Sequence, residues 1–363
     1  MVKLFHHRQG GVILKLKTLL CFLLCLTMLC PLVSCGASRS EQDEDLMLAM
    51  ERGAEFKIVQ FADLHFGQEG EQYHNADEAR TIAFMTYLVE TEKPDLIVLS
   101  GDNIMNTGVA GVKELIRIMD AYQTPYTFVF GNHDAETALN GYCKHDVSEY
   151  LEQSESPYLL YRSGYIDDSN ENRYGNFSIS LTDNETGDLL GAIVIVDTGA
   201  YDYAADRYQT ITEGQVDWYK SEIERLNKIY SRQKNNAHEI IPTLTYGHMQ
   251  LPELFVAYQK AANADGATFV YEQELGGWMA NAVLGSAGAE SSLFYAAMKE
   301  MGSAKSYLCG HMHGLFYHVK MDGILLGFCP QIGVSSNQSR NCKTFVYTFD
   351  ESFSLNVRLV EEP

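Results

Sequence analysis

Residues 56–65 read Phe-Lys-Ile-Val-Gln-Phe-Ala-Asp-Leu-His, and the fold turns on how that stretch ends. Residues 56–62 are mostly apolar, carry the β-branched pair Ile58-Val59 and are too few for a stable helix, so they predict a strand. The strand does not close on turn residues but runs straight into Asp63-Leu64-His65, which brings a carboxylate and an imidazole. The same unit returns. Leu96–Ser100 (LIVLS) leads into Gly101-Asp102-Asn103, and residues 126–130 lead into Gly131-Asn132-His133-Asp134. Thr243–Tyr246 leads into Gly247-His248, and residues 306–309 into Gly310-His311-Met312-His313. Near-continuous apolar runs of this kind read as strands buried on both faces.

Helical patterns lie between them. Residues 77–90 carry Ile82, Met85 and Leu88 behind the acidic start Asp77-Glu78. Residues 212–230 open with Thr212 and Gln215 in capping-box spacing, and Val216, Tyr219, Ile223, Leu226 and Tyr230 then recur at helical steps. The middle and end read as antiparallel: residues 177–181 and 189–197 flank the polar turn 183–187, and residues 315–321 and 324–328 flank Asp322-Gly323. Residues 345–349 and 353–359 alternate around another turn. Strands alternating with helices predict an α/β fold with helices covering the sheets, in one domain over residues 56–363. Residues 252–305 are the least regular and are expected to form a lid or wall.

The chain has 363 residues, 46% of them hydrophobic, which excludes disorder as its dominant state. Its net charge of −21 argues against nucleic acid or an anionic lipid surface as partner. Residues 1–35 hold Lys3, Arg8, Lys15 and Lys17, no acid, and an apolar run followed by Leu32-Val33-Ser34-Cys35. That order describes a secretory signal, and its end resembles a bacterial lipobox in which Cys35 is lipidated. A plain secretory signal or an uncleaved anchor is the alternative, the run being short for a bilayer span of roughly 20 residues. Residues 36–55 then read as a polar tether. Outside the leader stand Cys143, Cys309, Cys329 and Cys342, too scattered for a zinc-knuckle spacing. Disulfides and small buried thiols are both compatible with them.

In open α/β sheets ligands gather at the carboxyl ends of strands. Five strand ends here deliver seven ligand-type side chains: Asp63 and His65, Asp102, Asn132, His248, then His311 and His313. Singly each signal is weak, since a lone His is more often a satisfied polar residue. Five such sites, most of them beside Gly, make accident a poor account. Oxygen and imidazole donors without thiolate suit Mn, Zn, Fe or Co.

The order Asp-x-His, Gly-Asp, Gly-Asn-His-Asp, Gly-His, Gly-His-x-His, from Asp63 to His313, resembles the calcineurin-like metallophosphoesterase superfamily. The resemblance implies a two-layer mixed β sandwich flanked by helices (α/β/β/α) with two divalent or trivalent transition-metal ions at the strand ends. It implies Asp63, His65, Asp102 and His313 on one metal, Asp102 bridging, and Asn132, His248 and His311 on the other. A metal-bridging hydroxide would attack phosphorus, and His133 would stabilise or protonate the leaving oxygen; the plainer reading of His133 is a buttress of its loop. Asp134 reads as a loop brace. Three residues after Asp102 stands Met105, where purple acid phosphatases place an iron-binding Tyr and Ser/Thr protein phosphatases an Asp. The segments at 61–67 and 247–253 look most like a purple-acid-phosphatase-related branch lacking that Tyr. The expectation is therefore an extracytoplasmic, lipid-anchored hydrolase of small phosphorylated substrates. Phosphodiesterase or nucleotidase action is the alternative within enzymes, and a non-catalytic phospho-ligand- or metal-binding lipoprotein is the alternative outside them.

Overall fold

The computed structural model of the protein describes residues 45–67, 74–105, 107–135, 144–167, 173–273, 292–332 and 341–363. The leader at 1–35 with Cys35, residues 36–44 of the tether, Cys143 and residues 274–291 of the expected lid lie outside the described residues. In chain order the strands are β1 (Leu46–Met50), β2 (Phe56–Phe61), β3 (Leu96–Ser100), β4 (Tyr126–Val129), β5 (Leu159–Leu160), β6 (Tyr165–Asp167), β7 (Arg173–Asp183) and β8 (Leu189–Ile195). They continue as β9 (Tyr201–Asp202), β10 (Arg207–Tyr208), β11 (Thr243–Tyr246), β12 (Ala267–Tyr271), β13 (Ala304–Cys309), β14 (His318–Met321), β15 (Ile324–Phe328), β16 (Lys343–Phe349) and β17 (Asn356–Glu361). The helices are α1 (His74–Glu92), α2 (Val109–Ala121), α3 (Lys144–Glu152), α4 (Glu213–Gln233), α5 (Glu253–Ala262) and α6 (Leu293–Met301).

Two mixed sheets carry the fold. The larger runs β1-β7-β8-β11-β13-β15-β14-β12 with β6 beside β7, and the smaller runs β17-β16-β2-β3-β4-β5. The strands that feed the site are parallel: β2, β3 and β4 in the smaller sheet, β8, β11 and β13 in the larger. Side-chain alternation shows what lies on each face. In β8, Ile193 and Ile195 enter the cluster that holds Ile58, Val59 and Val98 of the smaller sheet. Val194, and Val196 just beyond the strand, turn the other way, onto Val216, Tyr219 and Ile223 of α4. β13 and β15 divide likewise, Leu308 and Leu325 inward and Tyr307, Leu326 and Phe328 towards the helices. Phe84, Met85 and Leu88 of α1 and Val112 and Leu115 of α2 pack with the smaller sheet. The result is the helix-flanked sandwich that the motifs implied, and it explains the unbroken apolar runs: both faces of these strands are buried.

The expected hairpins form, β7 with β8, β14 with β15 and β16 with β17, all antiparallel. Asp322 and Gly323 both take positive φ, 52° and 83°, as a two-residue hairpin turn demands. Thr212 caps α4 through the full capping box with Gln215. Gln215 Nε2 also donates to Asn176 Oδ1 and the Asp197 carbonyl, both at 2.7 Å, which ties the helix start to the ends of β7 and β8.

One boundary needs correction. The polar tether does not extend to residue 55, because Leu46–Met50 is a strand paired in parallel with Ile179–Asp183. Leu46 and Leu48 pack on the core and Met50 is buried, while the acids around the segment hid its alternation. The expected irregularity of 252–305 is also reduced, since α5, β12 and α6 occupy much of it. Cys309, Cys329 and Cys342 are buried free thiols.

Candidate metal centre

Each ligand-type side chain follows its strand by two to four residues, and the backbone bends abruptly to present it. Asp63, His65, Asp102 and His311 all have positive φ, 57°, 51°, 50° and 70°. Outside Gly such a conformation costs on the order of 1–2 kcal/mol per residue and persists where surrounding structure enforces it. Here the enforcement is visible. Asp63 and His65 donate their N–H groups to the carbonyls of Gly101 and Asp102 at 3.0 and 2.8 Å, while the His311 N–H donates to the Asp63 carboxylate. Gly131 admits no side chain, since a Cβ there would fall on the Asp102 amide and carboxylate.

Asp134 is the brace expected of it. One carboxylate oxygen accepts the N–H groups of Asn103 and Ile104 at 2.9 Å, and the other that of Gly131 at 2.7 Å. A single buried side chain thereby locks the loops after β3 and β4 together. Burial first, and the Asp102 carboxylate second, push the Asp134 carboxyl up to about 7.

The structure brings all seven side chains and His133 to the seam between the sheets. Asp63, His65, Asp102 and Asn132 arrive from the smaller sheet; His248, His311 and His313 arrive from the larger. His65 Nε2 and His313 Nε2 stand 3.1 Å apart, and His313 Nε2 lies 3.4 Å from Asp63 Oδ1. His248 Nε2 is 3.1 Å from Asp102 Oδ2 and 4.0 Å from Asp63 Oδ1. His311 Nδ1 is 2.9 Å from Asn132 Oδ1, and His133 Nε2 is 3.9 Å from Asp102 Oδ2. Three groups among the described residues bring potential ligand atoms within 4.8 Å of one another: Asp63–His65–His313, His65–Asp102–His133 and Asp102–His248–His311.

The donor chemistry fits cations. His248 Nδ1 sits 3.0 Å from the Ser100 carbonyl, which can only accept, so Nδ1 carries a proton. The buried Nε2 is turned into the cluster, towards Asp102 Oδ2. Burial pulls His65 down to about 4 and His311 down to about 3, so both imidazoles are neutral near pH 7. His313 differs: against its burial, Asp63 raises its pKa, so a proton or a cation belongs between its Nε2 and that of His65 at 3.1 Å. Ligands held at about 2.1 Å by one ion would stand roughly 3–3.4 Å apart. Burial also opposes charge on His248, but Asp102 lifts it to about 9, and that same carboxylate charge can hold a metal instead of a proton. Despite burial, Asp63 and Asp102 stay below the usual carboxylate range because histidines surround them.

The family model described as Calcineurin-like phosphoesterase matches residues 56–315. The chain belongs to that family. Among curated relatives, "Probable inactive purple acid phosphatase 29" of Arabidopsis thaliana is 28% identical over 71% of this chain and 67% of its own. "Probable inactive purple acid phosphatase 14" of the same plant is 23% identical, covering 77% and 70%. "Phosphatase DCR2" of Saccharomyces cerevisiae is 27% identical over 61% of this chain and 38% of its own length. A solved dimetal phosphatase from Danio rerio covers 84% of this chain and 98% of its own at 11% identity, with a TM-score of 0.46.

Some neighbours of the site were not legible in the motifs. Tyr208 of β10 packs its ring edge-on against His311, centroids 4.7 Å apart. Beneath the loops, Lys144 Nζ bonds both oxygens of the fully buried Asp197 at 2.9 and 2.8 Å. Asp197 further accepts the Gly199 and Tyr174 N–H groups, so the Asp197-Thr198-Gly199 turn is held by a buried ion pair. The tyrosine-rich run 201–208 was the available signal for the first; for the second, Asp197-Thr198-Gly199 stands out after its strand, while nothing in the spacing marks Lys144 as its partner.

Proposed function

We propose that the protein is a dinuclear metal-dependent phosphoesterase acting on small phosphorylated substrates, with monoesters preferred over diesters and nucleotides. The observation that carries this reading is the seam itself: seven ligand-type side chains from two sheets meet there, and two of the imidazoles that meet are held neutral. In the proposed assignment Asp63, His65, Asp102 and His313 hold one ion, and Asn132, His248 and His311 hold the second, with Asp102 shared. Bound there, divalent or trivalent Mn, Fe, Zn or Co would neutralise the phosphoryl charge and lower the pKa of a water. His133, the neighbour of Asn132, is placed on the cluster without being needed in either ligand set. In this assignment its role is to deliver a proton to the departing ester oxygen. One water would be consumed: its oxygen bonds to phosphorus keeping one hydrogen and losing one proton to solvent, the phosphorus–oxygen ester bond breaks, and the alcohol leaves with a proton from His133, which solvent then restores.

The decisive experiment is a metal titration of the chelator-stripped protein with p-nitrophenyl phosphate beside bis-p-nitrophenyl phosphate. Monoester turnover restored by Mn or another transition ion is the expected result. Faster cleavage of the diester makes the protein a phosphodiesterase. The names of the Arabidopsis relatives describe those proteins as inactive, so a second outcome has a definite meaning. Two bound ions with no turnover of either ester would make this chain a binding protein.

We further propose that the protein is exported and attached to a bacterial cell membrane through lipid on Cys35, with no other membrane contact. The support is the order of basic flank, apolar run, Leu32-Val33-Ser34-Cys35 and acidic segment. Mass spectrometry of the mature N-terminus should find a diacylated Cys35; an unmodified Cys35 overturns the attachment and leaves the hydrolase reading untouched.

A further inference from the structure

A cavity of about 220 Å³ opens between the segment after β10 and the loop after β11. Its walls are chain neighbours of two ligands. Met249 and Gln250 follow His248, and Gln209 follows Tyr208, whose ring rests on His311. Thr198 joins them, its hydroxyl accepting the Met249 N–H at 3.0 Å. By that adjacency, the organic part of a phosphate ester whose phosphoryl group sat on the metal ligands would extend towards the cavity.

Two properties of the lining select what enters. The first is neutrality: Thr198, Gln209 and Gln250 supply polar atoms, Ile211, Met249 and Leu251 supply apolar ones, and no charged side chain lines it among the described residues. A second anionic group on the substrate would lose its water there without gaining a cation, in a chain whose net charge is already −21. The second property is a fixed donor. Gln209 Oε1 accepts from Arg173 Nη1 at 2.6 Å and from the Ala200 N–H at 2.8 Å. Arg173 is fully buried, so turning the amide over would set its NH₂ against the guanidinium, donor against donor. The Nε2 end of Gln209 is accordingly the part it offers to a ligand, and it calls for an acceptor such as a carbonyl or ring nitrogen.

We infer that this cavity is the alcohol subsite of the enzyme and selects phosphate esters of uncharged alcohols that carry a hydrogen-bond acceptor on an apolar frame. The inference rests on the phosphoesterase reading above. The β9–β10 hairpin fits the same role at the mouth of the site: Tyr201 packs on both Tyr203 and Tyr208, and Tyr203 is 80% exposed. That ladder offers an apolar face from solvent to His311.

The test pairs two near-isosteric esters, 4-carbamoylphenyl phosphate and 4-carboxyphenyl phosphate, which differ in a neutral amide against a carboxylate. The metal-loaded full chain should prefer the amide ester in kcat/KM by roughly tenfold or more. Ile211→Trp, which fills the cavity, should collapse that preference, and the collapse separates recognition from leaving-group reactivity. Leu293→Glu is a second variant at a 60% exposed lining position, where folding is not at risk. It should lower kcat/KM for the carboxylate ester more than for the amide. Independently of turnover, 4-hydroxybenzamide should bind the full chain in chelator, seen by saturation-transfer NMR, and should lose that binding in Ile211→Trp. Equal use of both esters, unchanged by either variant, or no binding of 4-hydroxybenzamide would overturn the subsite. If acetyl phosphate and both aryl esters are all left intact by the metal-loaded chain, the hydrolase reading fails, and the binding measurement alone then decides the cavity.

Discussion

Asp102 occupies the point at which the two proposed ion sites meet, with His248 Nε2 at 3.1 Å and His133 Nε2 at 3.9 Å from the same carboxylate oxygen. Its other oxygen accepts the His133 N–H at 2.7 Å, so it shapes the following loop as well. Asp102→Ala should therefore lose both ions together, while His313→Ala should lose chiefly one; metal analysis of the dialysed variants checks this. His133 makes the opposite case. His133→Ala should keep its metal and lose turnover by roughly 10²–10⁴-fold, with a smaller loss for esters of very acidic alcohols. A variant with full turnover on a poor leaving group would return His133 to a buttress. At this scale the sequence was informative for a physical reason. A strand end presents its next side chains to a common edge, so the spacing of Asp63, His65, Asp102 and His313 could be read directly. Gln209 and Tyr208 could not, because their role depends on Arg173 and His311 meeting them across the fold.

Elements were legible where one period ruled them. The hairpin turn at Asp322-Gly323 and the capping box of α4 are local signals, and both formed as read. β1 was missed because five apolar residues amid acids satisfy no strong pattern until β7 supplies a partner. Pairings between sheets lie further beyond local reading, and His318 shows one with a measurable consequence. It sits on β14 in the larger sheet, fully buried, with Nε2 3.0 Å from the Tyr347 hydroxyl on β16 in the smaller one. Burial drives its pKa down to about 3. As pH falls below the ordinary value near 6.5, the unfolded chain takes up a proton that folded His318 refuses. Its contribution is thus complete above that value and is lost as pH falls towards 3, with a limiting slope of about 1.4 kcal/mol per pH unit. Urea unfolding in chelator at pH 7.5 and 5 should show a steeper loss for the natural chain than for His318→Leu. Equal slopes would remove His318 as the source.

The whole molecule places the cluster between two sheets that otherwise meet through apolar contact. Ions held by Asp63 and Asp102 on one side and by His248, His311 and His313 on the other would cross-link them. At a free metal concentration of 100 times Kd, one ion adds about 2.7 kcal/mol. Chelation should then lower the melting temperature by roughly 5–10 °C, reversibly on adding metal back. An unchanged melt after verified stripping would argue against ions that span the seam. Sheet order is where reading the chain stopped. β2 pairs with β16, whose residues lie almost at the far end of the sequence, and no local pattern announces that Val59 faces Val346.

That far-reaching pairing sets a timetable for biosynthesis. A chain leaves the ribosome N-terminus first, so Asp63, Asp102 and Asn132 are exposed long before His248, His311 and His313 exist to join them. β2 meanwhile lacks its neighbour β16 until residue 349 has emerged. Loading of the proposed metal centre would accordingly be a late event in the life of each molecule, and the half-built chain carries an open sheet edge beside unshared carboxylates. A nascent chain arrested at residue 240 should capture neither ion, and the full set of ligands should become protected from modification only after release.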